Sequence, residues 1–222
     1  MSIVIRGHIP KSIVHSYPGG KRAVTAVYVG DRYVWPKIQP RKSAIVSNTG
    51  ERFYDTVEVP WWVAAIDLVL LGAGGGGAGG DGVIGRSGRA GSPGEWRGFT
   101  INRKPGEPAL LTYDINAGGH GGDKESPGGA GGATIVTFEG NTYTAPGGAG
   151  GSGYGSPDSH INPRNFTWND TQWTPNPSLQ YMRQGYGGTG GAGGAFGKAD
   201  PGSPGRSGIV YMVMSPADDA MQ

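Results

Sequence analysis

Apolar and polar positions alternate in short runs along this chain, and turn residues break them before any helical period develops. In AVTAVYVGDRYVWPK (residues 23–37), Val24–Val29 and Arg32–Trp35 read as two arms of a hairpin. Gly30-Asp31 is a two-residue turn whose twist suits them, and Pro36 ends the second arm. Further strands are expected at Ser43–Ser47, Arg52–Val57 and Ala65–Leu71, with a turn at Asn48-Thr49-Gly50. Later runs predict Ala109–Ile115, a hairpin of Thr134–Phe138 and Thr142–Ala145 around Glu139-Gly140-Asn141, and a last strand at Gly208–Ser215. Only the tail PADDAMQ has helix-compatible composition, and it reads as a frayed turn.

Glycine separates these runs. Residues 1–71 hold Gly7, Gly19, Gly20, Gly30 and Gly50, none follows Gly208, and the other forty of the 45 lie between. Blocks at 72–82, 118–132, 147–155 and 185–197 each abut a predicted strand, so strand and glycine block recur as a loose repeat. The 17 Pro add to a composition often read as disorder. The 6 Trp, 10 Tyr and 5 Phe argue against it.

Three structures could use the run Gly72–Gly80. Gly72-x-Gly74-x-x-Gly77 has dinucleotide-binding spacing, but no helix can follow to hold the pyrophosphate. GGAGGD (76–81) and GGHGGD (118–123) match the core of a calcium-binding nonapeptide repeat. They stand apart without tandem neighbours, and Glu125 breaks the apolar position in the second. The third is a lattice. A glycine chain can form an extended threefold helix rising about 3.1 Å per residue, so nine residues span roughly 28 Å. It has no internal hydrogen bonds, and packed copies bond one another where only Gly lets backbones close. Ala is tolerated at outer positions. Flexible linkers are the bland alternative, opposed by the strands between the blocks. The expected fold is therefore all-β: short strands and hairpins with packed polyglycine-II helices, a glycine-rich sandwich with almost no α-helix. The expected organisation is an N-terminal hairpin docking module at 1–42, a β and polyglycine domain at 43–216, and a tail at 217–222.

The net charge of +2 gives no steering toward nucleic acid. The chain has no Cys, which removes disulfides and thiolate chemistry. The run Trp61–Leu71 is too short to cross a membrane. MSIVIRGHIPK lacks the pattern of a signal peptide. His8, His15, His120 and His160 are scattered, and no nucleophile elbow or paired-carboxylate motif stands out, although Asp158 and Asp170 share one stretch. No enzyme activity, metal or cofactor is expected.

The stretch 156–184 is free of glycine, and Pro157, Pro163, Pro175 and Pro177 make it a long ordered loop without helix. Phe166, Trp168, Asn169, Asp170, Trp173 and Tyr181 are its candidates for ligand or host contact, because indole and phenol faces stack on sugars while amides and carboxylates bond hydroxyls. The same aromatics also suit a cap on a glycine lattice that has no apolar side chains, the stronger of these readings, or a subunit interface. Trp61 and Trp62 flank a strand start, where alternation turns one outward. With Tyr28, Tyr33 and Trp35 they are the candidates for an assembly interface.

FYDTVEVPWWVAAIDLVLLGAGGGGAGGDG (53–82) resembles the opening of the glycine-rich domain of bacteriophage minor tail proteins, especially those of phages infecting mycobacteria and other actinobacteria. The matching pieces are Phe53, Val59-Pro60, the strand Ile66–Leu71 and the run Gly72–Gly80. GRSGIVYMVMS (205–215) is similar to that family's final strand, and VYVGDRYVWP (27–36) to a short module at the start of such proteins. The resemblance implies a virion structural protein at a tail tip or fibre, made in the host cytoplasm. Its partners would be other tail proteins and a host-envelope glycan, and its assembly a homotrimer. Two other readings remain: a purely structural virion component without a receptor role, and a bacterial glycan-binding module.

Overall fold

In this computed structural model, residues 14–17, 20–23, 27–29 and 32–35 are described as backbone, and 39–47, 50–155, 161–176 and 183–217 in full. The chain is all-β, with no helix among the described residues. In order, the strands are β1 (Val14–Tyr17), β2 (Gly20–Ala23), β3 (Val27–Val29), β4 (Arg32–Trp35), β5 (Arg41–Val46), β6 (Phe53–Val59), β7 (Val63–Leu71) and β8 (Ser87–Gly88). They continue with β9 (Trp96–Asn102), β10 (Ala109–Ile115), β11 (Thr134–Phe138), β12 (Asn141–Ala145), β13 (Tyr154–Gly155), β14 (Phe166–Trp168), β15 (Thr171–Trp173) and β16 (Ile209–Pro216).

Two four-stranded antiparallel sheets form a sandwich, one ordered β5-β16-β7-β9 and the other β12-β11-β10-β6. Period-two alternation builds the core between them. Ile66, Leu68 and Leu70 of β7 and Val210, Met212 and Met214 of β16 face Leu111, Tyr113 and Ile115 of β10 and Val136 and Phe138 of β11. β7 is buried on both faces toward its end, because Val69 and Leu71 enter a second cluster with Ile209, Tyr211 and Trp173. The chain passes from one sheet to the other between β5, which pairs with β16, and β6, which pairs with β10. β5 begins at Arg41, so the sandwich takes up residues 41 and 42 of the expected N-terminal module. The short sheets β1-β2 and β3-β4 precede it. Gly30-Asp31 and Asn48-Thr49 lie outside the described residues.

Beyond the strand ends the glycine blocks form one bundle. Segment 72–81 is its axis, and its hydrogen bonds repeat every three residues. Gly72, Gly75, Ala78 and Asp81 donate N–H to the carbonyls of Glu95, Ser92, Arg89 and Arg86. Ala73, Gly76 and Gly79 donate to Gly132, Gly129 and Ser126, and Gly74, Gly77 and Gly80 to Arg206, Ser203 and Asp200. The carbonyls of the same segment accept from three parallel neighbours: Gly119, Gly122 and Glu125; Gly148 and Gly151; Gly188, Gly191 and Gly194. Six segments thus surround one, three antiparallel and three parallel. The six also bond each other into a closed ring, for instance Gly91 to Gly188, Arg206 to Tyr186, Gly205 to Gly119, Gly129 to His120, Gly131 to Gly148 and Ser92 to Ala149. This is the packed polyglycine-II lattice, and it accounts for every backbone donor of the axis. A Cβ on Gly77 would sit 2.0 Å from the Thr189 carbonyl oxygen, and one on Gly76 1.9 Å from that of His120.

Alanine, expected at outer positions, also occupies the axis: Ala73 and Ala78 are buried there. The Cβ positions at Gly76 and Gly79 point to His120 and Asp123. The same three-residue step aims Ala73 at residue 117, where that neighbour enters the bundle. Gly72 and Gly75 point to Pro146 and Ala149. The step from these aims Ala78 at residue 152, just before Gly153 turns away at φ +71°. A methyl group fits only where a neighbouring segment diverges.

Candidate functional site

The stretch 161–176 is not a plain loop. β14 and β15 form a hairpin around Asn169 (φ +45°) and Asp170 (φ +56°), the left-handed pair that a tight two-residue turn requires. The hairpin lies on the face of the β5-β16-β7-β9 sheet that turns away from the main core. Phe166 stacks on Trp96 at 5.8 Å, Trp168 sits over Gly98, and Trp173 meets Tyr211 at 4.8 Å. The Asn169 Nδ2 donates to Asp67 Oδ1 at 2.9 Å, and Thr100 Oγ1 donates to the same oxygen at 2.6 Å. Trp96 Nε1 ties the preceding chain down by donating to the Arg164 carbonyl.

The structure therefore brings Phe166, Trp168, Asn169 and Trp173 together against the sheet. Trp173 is only 3% exposed, with Lys42 Nζ 4.1 Å from its ring centre on one side and Tyr211 against it. Burial pushes the Tyr211 hydroxyl up to about 12, and it donates to the Thr174 carbonyl at 2.7 Å. A cleft of about 320 Å³ opens beside Lys42, Gln172 and Trp173. Phe166 and Trp168 are half-buried, and Asn169 and Asp170 are exposed at the turn. Tyr181 lies outside the described residues. Tyr28 and Tyr33 are paired across β3 and β4, and Trp35 is paired with Val27. Trp61 and Trp62 do not alternate along a strand: they occupy a turn closed by the Val63 N–H on the Pro60 carbonyl, both half-buried, with Trp62 against the main core.

Large apolar side chains open to solvent lie elsewhere. Leu110 and Tyr54 are 66% and 63% exposed on the sandwich, and Val83, Ile84 and Phe196 are 75%, 63% and 100% exposed. The last three sit on two loops at the end of the bundle remote from the sandwich. Loop 82–85 follows the axis, and Asp81 shapes it. Its carboxylate accepts the N–H groups of Val83 at 2.6 Å and Ile84 at 3.2 Å and faces Arg86 at 3.3 Å. Those bonds, the one from Val83 first, hold the Asp81 carboxyl below its usual range. Asp81, read above as a potential calcium ligand, is here a turn former. Loop 194–199 turns at Phe196 (φ +55°) and Gly197 (φ +81°). The Gly197 N–H donates to the Gly82 carbonyl at 2.8 Å, which locks the two loops side by side. A third turn, Asp123–Ser126, joins them through Glu125, whose Oε1 accepts the Gly82 N–H.

The bundle gives the molecule a direction. Val46 pairs with Ile209 at the glycine end of the sandwich, and Arg41 with Met214 at the other. The N-terminal part thus enters at one end and the three loops stand at the opposite end. No position in the sequence announces this, because the pairing of seven distant segments has no local signature.

A family model described as a glycine-rich domain matches residues 47–181. The lattice extends past that range, since segments 185–194 and 200–206 close its ring. Comparison with curated proteins gives no match.

Proposed function

The chain belongs to the glycine-rich domain family, and from that premise we propose that it is a structural component of a bacteriophage tail tip that presents its distal loops to the host cell envelope. The observation that carries the reading is the closed glycine bundle, with chain entry at one end and exposed loops at the other. Such a bundle is a stiff spacer made without a large apolar core. It suits a particle that must hold a contact surface at a fixed distance from its mooring. In this reading the N-terminal module meets neighbouring tail proteins, and the hairpin β14-β15 stabilises the sandwich. Loops fixed on a rigid scaffold are where recognition is commonly placed.

The purely structural alternative draws support from the burial of Trp173 and the stacking of Phe166, which turn the aromatic stretch inward. Labelled protein titrated onto isolated actinobacterial envelopes decides between them. Saturable binding is expected. Its absence at concentrations well above micromolar would leave a virion component whose surfaces meet only other tail proteins.

A further inference from the structure

We infer that the paired loops 82–85 and 194–198 form an apolar tip that inserts into the surface of an uncharged lipid bilayer. The inference deepens the host-contact reading by naming the chemistry of the surface met. Val83 and Phe196 each adjoin one member of the Gly82–Gly197 hydrogen bond, so the two loops carry their exposed apolar residues at one tip. The patch projects from the end of the rod and is not a groove.

Phe196 carries a second, independent sign. A bulky residue at φ +55° costs on the order of 1 kcal/mol, which Gly or Asn would largely avoid. A strained residue of this kind usually serves a function. Here the strained side chain is wholly exposed and adds nothing to the core.

Area and charge choose the occupant. Three such side chains expose on the order of 400 Å², about half of what each partner buries in a standard protein interface. A bilayer needs no complementary shape, and this area suffices for weak, reversible insertion. Part of the tip backbone is bonded, Gly194 N–H to Asp81, Gly197 to Gly82 and Lys198 to Ala195, while the N–H groups of Gly85, Ala195 and Phe196 are left to solvent. Insertion is therefore shallow: the side chains enter the acyl boundary while these backbone groups stay at the hydrated headgroup level. The neighbouring charges nearly cancel. Asp81 pairs with Arg86 and Lys124 with Glu125, and Asp123 and Asp200 against Lys198 leave a single net negative charge, which gives an anionic lipid no attraction. Arg86 also lies over the Tyr154 ring. Nothing favours an anionic lipid, so binding should be insensitive to salt.

The full chain has no native Cys, so an Ala195→Cys variant accepts one environment-sensitive dye at the tip. Phosphatidylcholine vesicles should sediment the protein and shift the dye emission to the blue, equally at low and high salt. Ile84→Ser with Phe196→Ser should cut the bound fraction about tenfold while circular dichroism stays unchanged. An unshifted dye and soluble protein at millimolar lipid would overturn the inference, as would equal binding by the double variant or binding confined to anionic vesicles at low salt. Vesicles contain no glycan or protein. Failure here with envelope binding intact removes lipid insertion alone, whereas the reverse result removes the envelope reading.

Discussion

Trp168 sits directly over Gly98: a Cβ at position 98 would lie 2.2 Å from the indole ring. The missing side chain on β9 is the seat of the β14-β15 hairpin. Gly98→Ala should displace Trp168 and loosen Asn169 from Asp67 and Thr100, at a cost of about 1–3 kcal/mol. In a Trp168→Ala background the same change should cost much less, because the ring it strikes is gone. Urea unfolding of the two single variants and the double variant measures this coupling. Additive effects would mean that the hairpin does not rest on Gly98.

The glycine lattice is legible in the sequence because its units abut short apolar runs of strand length, as in Val63–Leu71 and Ile209–Pro216. β9 was not readable. Its sequence WRGFTIN mixes an interior Gly with charge, and Gly98 makes sense only once Trp168 is placed above it. β14 and β15 have three residues each among prolines, but Asn169-Asp170 between FTW and TQW was a usable turn signal. The exposed tip has no signature in the sequence for a different reason. Val83, Ile84 and Phe196 are unremarkable in sequence, and only the register of the bundle brings residues 82 and 197 together.

Tyr211 should make the protein sensitive to alkali. Its hydroxyl titrates near 10 when unfolded and at about 12 in the fold, because burial disfavours the phenolate. A raised value means the folded state holds the proton more tightly. The stabilisation is complete below pH 10 and declines as pH rises from there through about 12. Tyr211→Phe should flatten this part of the stability–pH curve, read by urea titration between pH 9 and 11. An unchanged curve would show that Tyr211 is not its source.

Asp81 gives the opposite dependence at the tip. Its carboxyl is held low, chiefly by the Val83 N–H, so it stabilises loop 82–86 at neutral pH. That contribution is lost as pH falls through the folded value. Amide exchange at Val83 and Ile84, corrected for intrinsic rates, should lose protection on acidification while the amide of Gly77 keeps it. Asp81→Asn retains an acceptor without the charge and should abolish the difference. Equal acid sensitivity in that variant would assign the effect to another group.

The axis of the bundle should be the least tolerant part of the chain. Gly77 lies between neighbours on all sides, and an added methyl meets the Thr189 carbonyl at 2.0 Å, an atom of a backbone that is itself bonded on other sides. Nothing flexible can yield there, so Gly77→Ala should cost at least about 3 kcal/mol, through overpacking and the loss of lattice bonds on several segments. Gly106 offers the contrast. It has no atom within 4 Å of an added Cβ and no positive φ. Gly106→Ala should change stability by less than about 1 kcal/mol, with a gain possible through the unfolded chain. Thermal unfolding of the two variants separates a lattice from a set of linkers. In linkers both alanines would be neutral. In the lattice the same methyl group is harmless at one site and disruptive at the other, because only the axis has six neighbours.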